Sequence, residues 1–382
     1  MLQNNTFESR YGIINFNALA HNFATIKQQV GSSLIMPIVK ANAYGHGLVP
    51  CAQFLETQGA GYLGIALIEE ALQLRKAGIT MPLLVLGSII NDQIPLFLDH
   101  TIDIMASSIE KLQLINHYAQ QFGKKARVHL KIDTGLGRIG IRYSNAEKFF
   151  LEAVSLKHIE IVGITSHFAT ADNPDTTYMR EQCERFYEAS LFFEKHSLPM
   201  PLRHIANSGA IMQLQESYFD MVRPGIMLYG VYPQSWMKSL CDLKPVMSLY
   251  ARVVFFKVAL PNAGISYGLS WKAHSNTRII TLPIGYGDGY PQALSNKGHI
   301  ILQNNKYPIV GTICMDQMMV DIGSGQAYNG DEVVLIGRSG NQEITINELV
   351  DCYGGSAYEF LVSLNMRIPR HYTRIDIPPA IL

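Results

Sequence analysis

The sequence has few charged residues and no long hydrophobic run. Charged side chains make up 16% of the 382 residues, against 48% for hydrophobic ones, so the chain can bury one large core or two domains. Charge this scarce is expected where part of the surface is also buried, which favours a homo-oligomer. The N-terminal segment MLQNNTFESRYG lacks a basic stretch followed by an apolar one, and no apolar run reaches the length of a bilayer. We therefore expect a cytoplasmic protein with no membrane partner.

Clusters of like charge and paired cysteines are also absent. Basic and acidic residues number 31 each and never form a run of five or six, which argues against a phosphate-tracking surface and a nucleic-acid partner. The five cysteines include no C-x-x-C pair. An odd number without such a pair argues against a disulfide framework and a zinc site, so we expect reduced thiols and no metal.

Apolar runs alternate with segments of helical period between residue 34 and about residue 226, a pattern typical of parallel β/α units. Eight runs are interpreted as strands, which predicts an α/β fold with a TIM-like (β/α)8 barrel. The strand candidates are residues 34–40, 62–66, 83–87, 102–106, 126–133, 160–166, 202–206 and 220–226. The helix candidates are residues 48–58, 68–77, 109–122, 146–155, 178–197 and 209–216.

The alternation stops after about residue 240, where β-rich segments such as MSLYARVVFFKVAL and RIITLPI are separated by turn residues. We therefore predict two domains. The barrel spans residues 10–240, and a mainly β C-terminal domain spans residues 241–382 together with the N-terminal residues 1–9.

Polar side chains fall at or just after the carboxyl ends of several predicted strands. Barrel enzymes place their active sites at this end of the barrel, so the clustering favours an active site over scattered surface polarity. The residues concerned are Lys40, Lys131, Asp133, Arg138, His167, Asn207, Ser208 and Arg223.

Lys40 ends the apolar run LIMPIVK and precedes a loop that contains Tyr44. Desolvation lowers the pKa of an ammonium group and frees the amine to attack a carbonyl, so Lys40 is a candidate Schiff-base lysine. The alternative is a lysine that is simply the first solvated residue after a core strand. These residues alone favour the simpler interpretation.

Arg138 lies in a DTGLGR loop after the fifth predicted strand. Its planar guanidinium suits a carboxylate or phenolate oxygen, although this loop alone favours a tight surface turn. Lys131 at the end of that strand is expected to point inward, where it requires an anion. His167 suits a base, a hydrogen-bond relay or a flat face for an aromatic cofactor, or else a satisfied core histidine.

The turns after the seventh and eighth predicted strands suit an anion. Asn207 and Ser208 open a helix there, which is an anion site or an ordinary N-cap. Arg223, Gly225 and Ile226 repeat the arrangement one strand later. Loops at these two places often hold a phosphate in eight-stranded barrels, so we expect a phosphorylated ligand.

Tyrosine, methionine and aspartate stand among glycines and strands in the predicted C-terminal domain. The segments GISYG, LPIGYGDGY and TICMDQMMVD contain Tyr267, Tyr286, Met315 and Asp316. Such residues on strands are usually packing residues.

Eight motifs can be compared together: VKANAYGHG, HLKIDTGLGRIG, SHFATAD, HIANSG, VRPGIMLYG, GISYG, IGYGDG and ICMDQ. In their order and spacing they resemble the bacterial alanine racemases that depend on pyridoxal 5'-phosphate. The resemblance covers nearly the whole chain. One departure is Gly287, where the family often has alanine.

The resemblance implies a homodimer with shared active sites, in which Lys40 forms the Schiff base with the cofactor. It implies that Arg138 contacts the phenolic oxygen of the cofactor. Arg138 would also contact the substrate carboxylate, together with Met315 of the other subunit. His167 would lie near the pyridine ring, between Arg223 and Tyr267. Lys131 would be carbamylated, and Tyr286 and Asp316 would line the substrate access route. The phosphate would be held by Tyr44, Asn207, Ser208, Tyr358 and the backbone of Gly225 and Ile226.

Racemisation removes the α-proton from one face and returns a proton to the other, so it needs two acid/base groups. By the resemblance, Lys40 acts on D-alanine and Tyr267 of the other subunit acts on L-alanine, which supplies D-alanine for peptidoglycan. The alternatives are a racemase of serine or of broad specificity, a decarboxylase with the same barrel, and a non-catalytic pyridoxal-phosphate homeostasis protein. The last shares only the barrel, so the second domain argues against it.

Overall fold

The computed structural model describes residues 8–373, which form two compact units. The barrel unit consists of Asn22–Leu228 and Met237–Asp242. The C-terminal unit consists of residues 8–21, Tyr229–Trp236 and residues 243–373. The domain boundaries given above stay a prediction: a barrel over residues 10–240, and a C-terminal domain over residues 241–382 with residues 1–9. Residues 1–7 and 374–382 of the second domain lie outside the described residues.

Strands and helices alternate through the barrel unit, and strands dominate afterwards. The described strands are β1 (Arg10–Asn15), β2 (Leu34–Ile35), β3 (Leu63–Ile65), β4 (Leu83–Val85), β5 (Asp103–Ala106), β6 (Ala126–Asp133), β7 (Ile141–Arg142), β8 (Ile159–Thr165), β9 (Leu202–His204), β10 (Met221–Val222), β11 (Met247–Arg252), β12 (Phe255–Ala259), β13 (Gly264–Ile265), β14 (Trp271–Lys272), β15 (Thr277–Leu282), β16 (His299–Leu302), β17 (Asn305–Val310), β18 (Met318–Asp321), β19 (Glu332–Ser339), β20 (Gln342–Ile344) and β21 (Arg370–Thr373). The described helices are α1 (Phe16–Val30), α2 (Leu48–Thr57), α3 (Ile68–Lys76), α4 (Ile94–Asp99), α5 (Ile109–Gln121), α6 (Ala146–Ser155), α7 (Thr177–Lys195), α8 (Ser208–Gln213), α9 (Ile346–Tyr353) and α10 (Ala357–Ser363).

Eight parallel strands of the described chain close into a barrel. Six of them pair in the order β3, β4, β5, β6, β8, β9, and β10 pairs with β2. A parallel bridge between Ile38 and Gly64 joins the continuation of β2 to β3. The N–H of Arg223 donates to Ala206 O (2.9 Å) and joins β10 to β9. The predicted (β/α)8 fold is therefore confirmed.

The barrel core follows from the composition of the strands. Every residue of β3, β4 and β5 is buried, as expected for strands of a parallel sheet covered on both faces. Helix α4 is not among the predicted helices; it has six residues and a proline in its first turn. A helix this short shows less than two turns of apolar periodicity, so its pattern is weak.

The C-terminal unit is built on one large, mostly antiparallel sheet. Its strand order is β12, β15, β18, β17, β16, β19, β11, β1, β21, with β20 paired to β19. The N-terminal strand β1 enters this sheet antiparallel to β11, with Arg10 opposite Ala251, and parallel to β21. The predicted mainly β character of the second domain is confirmed. Among the described helices, none is both long and apolar enough to cross a bilayer.

Candidate active site

Lys40 begins a left-handed turn at the carboxyl end of the first barrel strand. Ala41, Asn42, Ala43 and Tyr44 have φ angles of 52°, 56°, 53° and 52°. Left-handed helical conformation costs roughly 1–2 kcal/mol for each L-residue other than glycine. Four such residues in succession persist only where the surrounding contacts hold them, and strain of this kind concentrates at functional sites.

Three side chains hold this turn. Glu70 Oε1 accepts a hydrogen bond from Ala41 N (2.7 Å), and Asn42 Oδ1 accepts one from Leu48 N (2.8 Å). His46 Nδ1 donates to two carbonyl oxygens of the turn (3.1 and 2.8 Å). Glu70 is not among the residues predicted from the sequence, because it lies 29 positions from the residue it contacts. Its only local signal is a glutamate in the first turn of α3.

The amines of Lys40 and Lys131 both lie in a cationic environment. Burial, followed by the charges of Arg138 and Arg223, lowers the pKa of Lys40, while Glu70 opposes this shift. Lys131 is only 5% exposed. Burial, followed by Arg223 and Arg138, lowers its pKa well below the usual value. Within the described residues neither amine has a carboxylate within ion-pair distance, so the cluster requires an anion from outside the chain.

Arg223 follows β10 and is almost fully buried. One terminal nitrogen donates to Ser166 O (2.7 Å), Ile205 O (3.0 Å) and His167 Nδ1 (3.2 Å), and the other donates to His204 Nδ1 (2.9 Å). A guanidinium can only donate, so both imidazoles accept through Nδ1. Burial, followed by the charge of Arg138, lowers the pKa of Arg223 to about 9, which leaves it charged at neutral pH. Burial, followed by Arg223, lowers the pKa of His167 well below its usual value.

Arg138 lies at the end of a loop that is fixed by its own first residue. Asp133 Oδ1 accepts from the N–H groups of Gly135 (3.0 Å) and Gly137 (3.1 Å). Tyr178 Oη donates to Gly135 O (3.0 Å). A Cβ atom at Gly135 would lie 2.2 Å from that hydroxyl, so the loop requires glycine at this position. The side chain of Arg138 is exposed, so it is accessible to a ligand.

Hydroxyl groups and backbone converge next to the eighth barrel strand. Ser208 Oγ accepts from Gly225 N (2.9 Å), and Ile226 follows in the chain. A Cβ atom at Gly225 would lie 2.5 Å from Tyr44 Oη, so glycine permits the close approach of this hydroxyl. Asn207 Oδ1 caps α8 by accepting from its third residue. The predicted anion-binding turns therefore meet in one place in the barrel unit.

The C-terminal unit brings together four other predicted residues on adjoining loops. Thr312 Oγ1 donates to Tyr267 O (2.9 Å), and Tyr286 N donates to Cys314 O (3.1 Å). Tyr267 is 73% exposed and Met315 is 54% exposed. The loops are therefore held through backbone groups and the Thr312 hydroxyl, while the large side chains of Tyr267 and Met315 are left accessible.

Asp316 completes this group through a charged network. Arg367 donates to Asp316 Oδ1 (2.7 Å) and lies 3.4 Å from Asp288 Oδ1. A Cβ atom at Gly287 would lie 2.5 Å from a terminal nitrogen of Arg367. The departure of Gly287 from the alanine of the family pattern is thus matched by the position of this arginine. Tyr358 lies on α10 of the same unit.

The structure therefore gathers the predicted site residues into two groups, one in each unit. The barrel unit holds Lys40, Tyr44, Lys131, Arg138, His167, Asn207, Ser208, Arg223, Gly225 and Ile226. The C-terminal unit holds Tyr267, Tyr286, Met315, Asp316 and Tyr358. Three residues that were not predicted from the sequence continue the hydrogen bonds of Arg223 into the barrel, namely Asp103, His129 and His204. In the sequence, the only feature that marks these three residues is that each is a polar residue within an apolar, strand-like run.

Comparison with known proteins identifies the family. The family models "Alanine racemase, N-terminal domain" and "Alanine racemase, C-terminal domain" match residues 14–233 and 246–372. The chain is 39% identical to an alanine racemase of Halothermothrix orenii, over 94% of this chain and 95% of the relative.

Solved structures agree with this result. A crystal structure of an alanine racemase from a D-cycloserine-producing Streptomyces lavendulae has a TM-score of 0.92 and 34% identity, with 96% of this chain and 97% of that chain covered. A histidine racemase of Leuconostoc mesenteroides has a TM-score of 0.88 and 30% identity, with 96% and 99% covered. The chain belongs to the alanine racemase family.

Proposed function

We propose that this chain interconverts L-alanine and D-alanine with pyridoxal 5'-phosphate as cofactor. The observation that carries the proposal is the cluster around Lys40. A lysine whose pKa is lowered by burial stands beside two arginines and a second buried lysine, with no paired carboxylate among the described residues. This cluster fits a ligand that brings a carbonyl carbon, a phosphate and a phenolic oxygen.

The residues of the barrel unit suit each part of that cofactor. Lys40 would hold it covalently through its amine, and Arg138 would donate to the phenolic oxygen. Arg223 and His167 would contact its ring. The phosphate would be held by Tyr44, Asn207, Ser208 and the backbone of Gly225 and Ile226, together with Tyr358.

When bound, the cofactor supplies an electron sink that makes the α-proton of an attached amino acid acidic. Proton transfer then requires one base on each face of the α-carbon. Lys40 serves one face and takes the proton from D-alanine. Tyr267 of a second copy of the chain serves the other face and takes the proton from L-alanine.

Arg223 restricts the chemistry to racemisation. A guanidinium holds its proton far more tightly than a carboxylic acid, so it donates a hydrogen bond without transferring the proton. A partner of this kind stabilises charge on the ring less than a proton donor would. Less charge accumulates away from the α-carbon, and the proton returns there quickly, which suppresses transamination.

Lys131 is proposed to be carbamylated. Its lowered pKa leaves more of the amine neutral, and a neutral amine attacks the carbon of CO2, forms an N–C bond and releases one proton. The resulting carbamate carries one negative charge. It would supply the anion that the neighbouring charges of Arg138 and Arg223 require.

A homodimer with shared sites is proposed because of the exposed side chains of the C-terminal unit. Tyr267, Tyr286 and Met315 are 73%, 43% and 54% exposed in this chain. In a second copy, Met315 would contact the substrate carboxylate, and Tyr286 and Asp316 would line the access route. The product, D-alanine, would serve peptidoglycan synthesis in the cytoplasm.

The experiment is to measure exchange of the α-proton in deuterated buffer for alanine, serine, histidine and larger amino acids, with and without added cofactor. We expect exchange to be fastest for alanine, to depend on the cofactor and to accompany racemisation. Exchange that is faster for serine or histidine would assign a different substrate. No exchange despite cofactor binding would indicate a binding protein.

A further inference from the structure

A buried chain of hydrogen bonds crosses the interior of the barrel and ends at Arg223. Arg223 donates to His204 Nδ1 (2.9 Å), His204 Nε2 contacts His129 Nδ1 (2.8 Å), and His129 Nε2 contacts Asp103 Oδ2 (3.3 Å). All four residues are at most 4% exposed. Asp103 is the first residue of β5, and Arg223 directly follows β10. The chain therefore connects the two ends of the barrel strands.

The positions of the protons in this chain follow by elimination. The guanidinium of Arg223 only donates, so Nδ1 of His204 carries no proton. Burial, followed by the charge of Arg223, lowers the pKa of His204 well below its usual value, so His204 is neutral and carries its proton on Nε2. His129 must then accept at Nδ1 and donate from Nε2 to the carboxylate of Asp103. Every hydrogen bond points from Arg223 toward Asp103.

The carboxylate end of the chain is fixed by two further donors. Arg127 Nε donates to Asp103 Oδ1 (2.8 Å), and Tyr62 Oη donates to Asp103 Oδ2 (3.0 Å). Burial raises the pKa of Asp103, but the hydrogen bonds from His129 and Arg127 and the charge of Arg127 outweigh this and lower it. Asp103 therefore stays ionised and acts only as an acceptor.

The strand packing also leaves His129 little freedom. A Cβ atom at Gly163, which pairs with His129 in the register of β6 and β8, would lie 2.3 Å from His129 Nδ1. Only glycine gives the imidazole room at this position. The ring of Tyr62 meets the ring of His129 edge to face, with 5.8 Å between the centroids.

We propose that Asp103 and His129 are positioning residues for the reaction, which act on Arg223 through His204. A carboxylate that holds an imidazole in one tautomer is a known device for orienting the group beyond it. Here the carboxylate sets the tautomers of two imidazoles in series, so that an acceptor always faces the arginine. This proposal rests on the role proposed above for Arg223 beside the cofactor ring.

A purely structural role predicts different behaviour. Removing His129 alone leaves the Nε2–H group of His204 without an acceptor, so leucine at position 129 should cost stability under either role. The tautomer of His204 and kcat, and not stability, therefore separate the two roles. If the network orients Arg223, the replacement must keep an acceptor toward His204 and a donor toward Asp103. A glutamine carboxamide offers both groups, whereas leucine offers neither.

The test compares His129→Gln with His129→Leu in the full-length chain labelled with 15N-histidine. The 15N chemical shifts of His204, assigned with a His204→Gln sample, report its tautomer before and after cofactor is added. We expect the Nε2-protonated form in the wild type and in His129→Gln. In His129→Leu the Nε2–H group of His204 has no acceptor, whereas Arg223 can still donate to Thr165, Ser166 and Ile205 when Nδ1 of His204 carries the proton. We therefore expect a mixture of tautomers in this variant and kcat for alanine racemisation lowered about 10- to 100-fold, with a smaller change in KM.

Two further variants keep the result interpretable. Asp103→Asn can present its amide nitrogen to His129, so it should mix the tautomers as His129→Leu does, and it replaces that variant if the leucine chain does not fold. Glu160→Gln removes only the negative charge of the exposed outer partner of Arg127 (3.2 Å) and should leave the His204 signals unchanged.

An unchanged His204 tautomer in both His129→Leu and Asp103→Asn would overturn the proposal, whatever happens to stability. So would mixed tautomers with an unchanged kcat. The tautomer is measured without turnover. A chain with the expected tautomers but no racemase activity would therefore contradict the proposed function and leave the proton order of the chain established.

Discussion

At the scale of single residues, substitution of Lys40 is the most direct test of the proposed cofactor. Lys40→Ala should remove the visible absorbance band that a lysine-bound cofactor gives, because no other amine would occupy the same position. Lys157→Ala, which removes an exposed lysine, is the matched control and should keep the band. The measurement is an absorbance spectrum after incubation with pyridoxal 5'-phosphate and dialysis that removes the unbound cofactor. A band that persists in Lys40→Ala would exclude the cofactor assignment.

Tyr267 tests the second base. Tyr267→Phe removes only the hydroxyl, and loss of a general base typically lowers kcat by about 10²- to 10⁴-fold. The loss should affect proton abstraction from L-alanine more directly than abstraction from D-alanine. Isotope effects with α-deuterated L- and D-alanine, measured in each direction, separate the two steps. Equal isotope effects in both directions would assign both abstractions to the same group.

The residues that follow strands could be predicted from the sequence, while the contacts between strands could not. Lys40 and Arg223 were found because a polar residue after an apolar run marks the carboxyl end of a barrel strand. His129 and His204 lie 75 positions apart. Their contact depends on the register of the barrel strands, which no local pattern encodes. The link from Asp103 to Arg223 is therefore a property of the folded barrel that the sequence alone does not predict.

At the scale of one element, the left-handed turn after Lys40 allows backbone strain to be measured. Ala41 is exposed and has a φ of 52°, so glycine there relieves strain without opening a cavity. Ala41→Gly should be neutral or should stabilise the chain by about 1 kcal/mol. Ala24 is exposed within the right-handed helix α1, and Ala24→Gly should cost about 1 kcal/mol.

Urea unfolding of both variants checks this prediction. Because the same chemical change is made at two exposed positions, the sign of the difference reports the local backbone conformation. A loss of about 1 kcal/mol at both positions would mean that residue 41 is not strained. No glycine stands among residues 41–44, so the sequence carries no signal for a left-handed turn. The predicted first strand of the barrel ends at Lys40, and no turn conformation was predicted for the residues that follow it.

Most of the larger elements could be predicted, because their apolar periods are long enough to be distinctive. The predicted helix at residues 146–155 matches α6, and the predicted strand at residues 126–133 matches β6. β2 has only two residues paired as a regular strand, although the apolar run continues to Val39. The run reflects burial, whereas regular pairing ends where the chain turns toward the site.

At the scale of the whole molecule, the net charge is zero, but the charged side chains are distributed unevenly. The histidines that face Arg223 illustrate the consequence. Burial and Arg223 lower the pKa values of His167 and His204 well below 6.5 in the folded chain. The unfolded chain binds protons at these positions near its ordinary value of about 6.5. Below that pH the unfolded state therefore holds more protons, and stability falls as the pH is lowered.

The free energy of unfolding of the cofactor-free chain should thus decrease from pH 6.5 downward, by at most about 1.4 kcal/mol per pH unit for each of the two histidines. Urea unfolding at several pH values measures this slope. His167→Asn removes one of the two groups and should make the slope shallower. An unchanged slope in that variant would show that His167 takes up its proton in the folded state as readily as in the unfolded state.

The shared active site makes a prediction about mixed dimers. If Lys40 of one copy works with Tyr267 of the other, a hybrid of Lys40→Ala and Tyr267→Ala chains contains one intact site. Equal mixing with free subunit exchange should then restore about one quarter of the wild-type sites, although each variant alone is inactive. Mixing wild type with the doubly substituted chain gives the opposite result, because every hybrid site lacks one base. Activity per wild-type chain should fall in that mixture, whereas a site built within one chain would keep it constant.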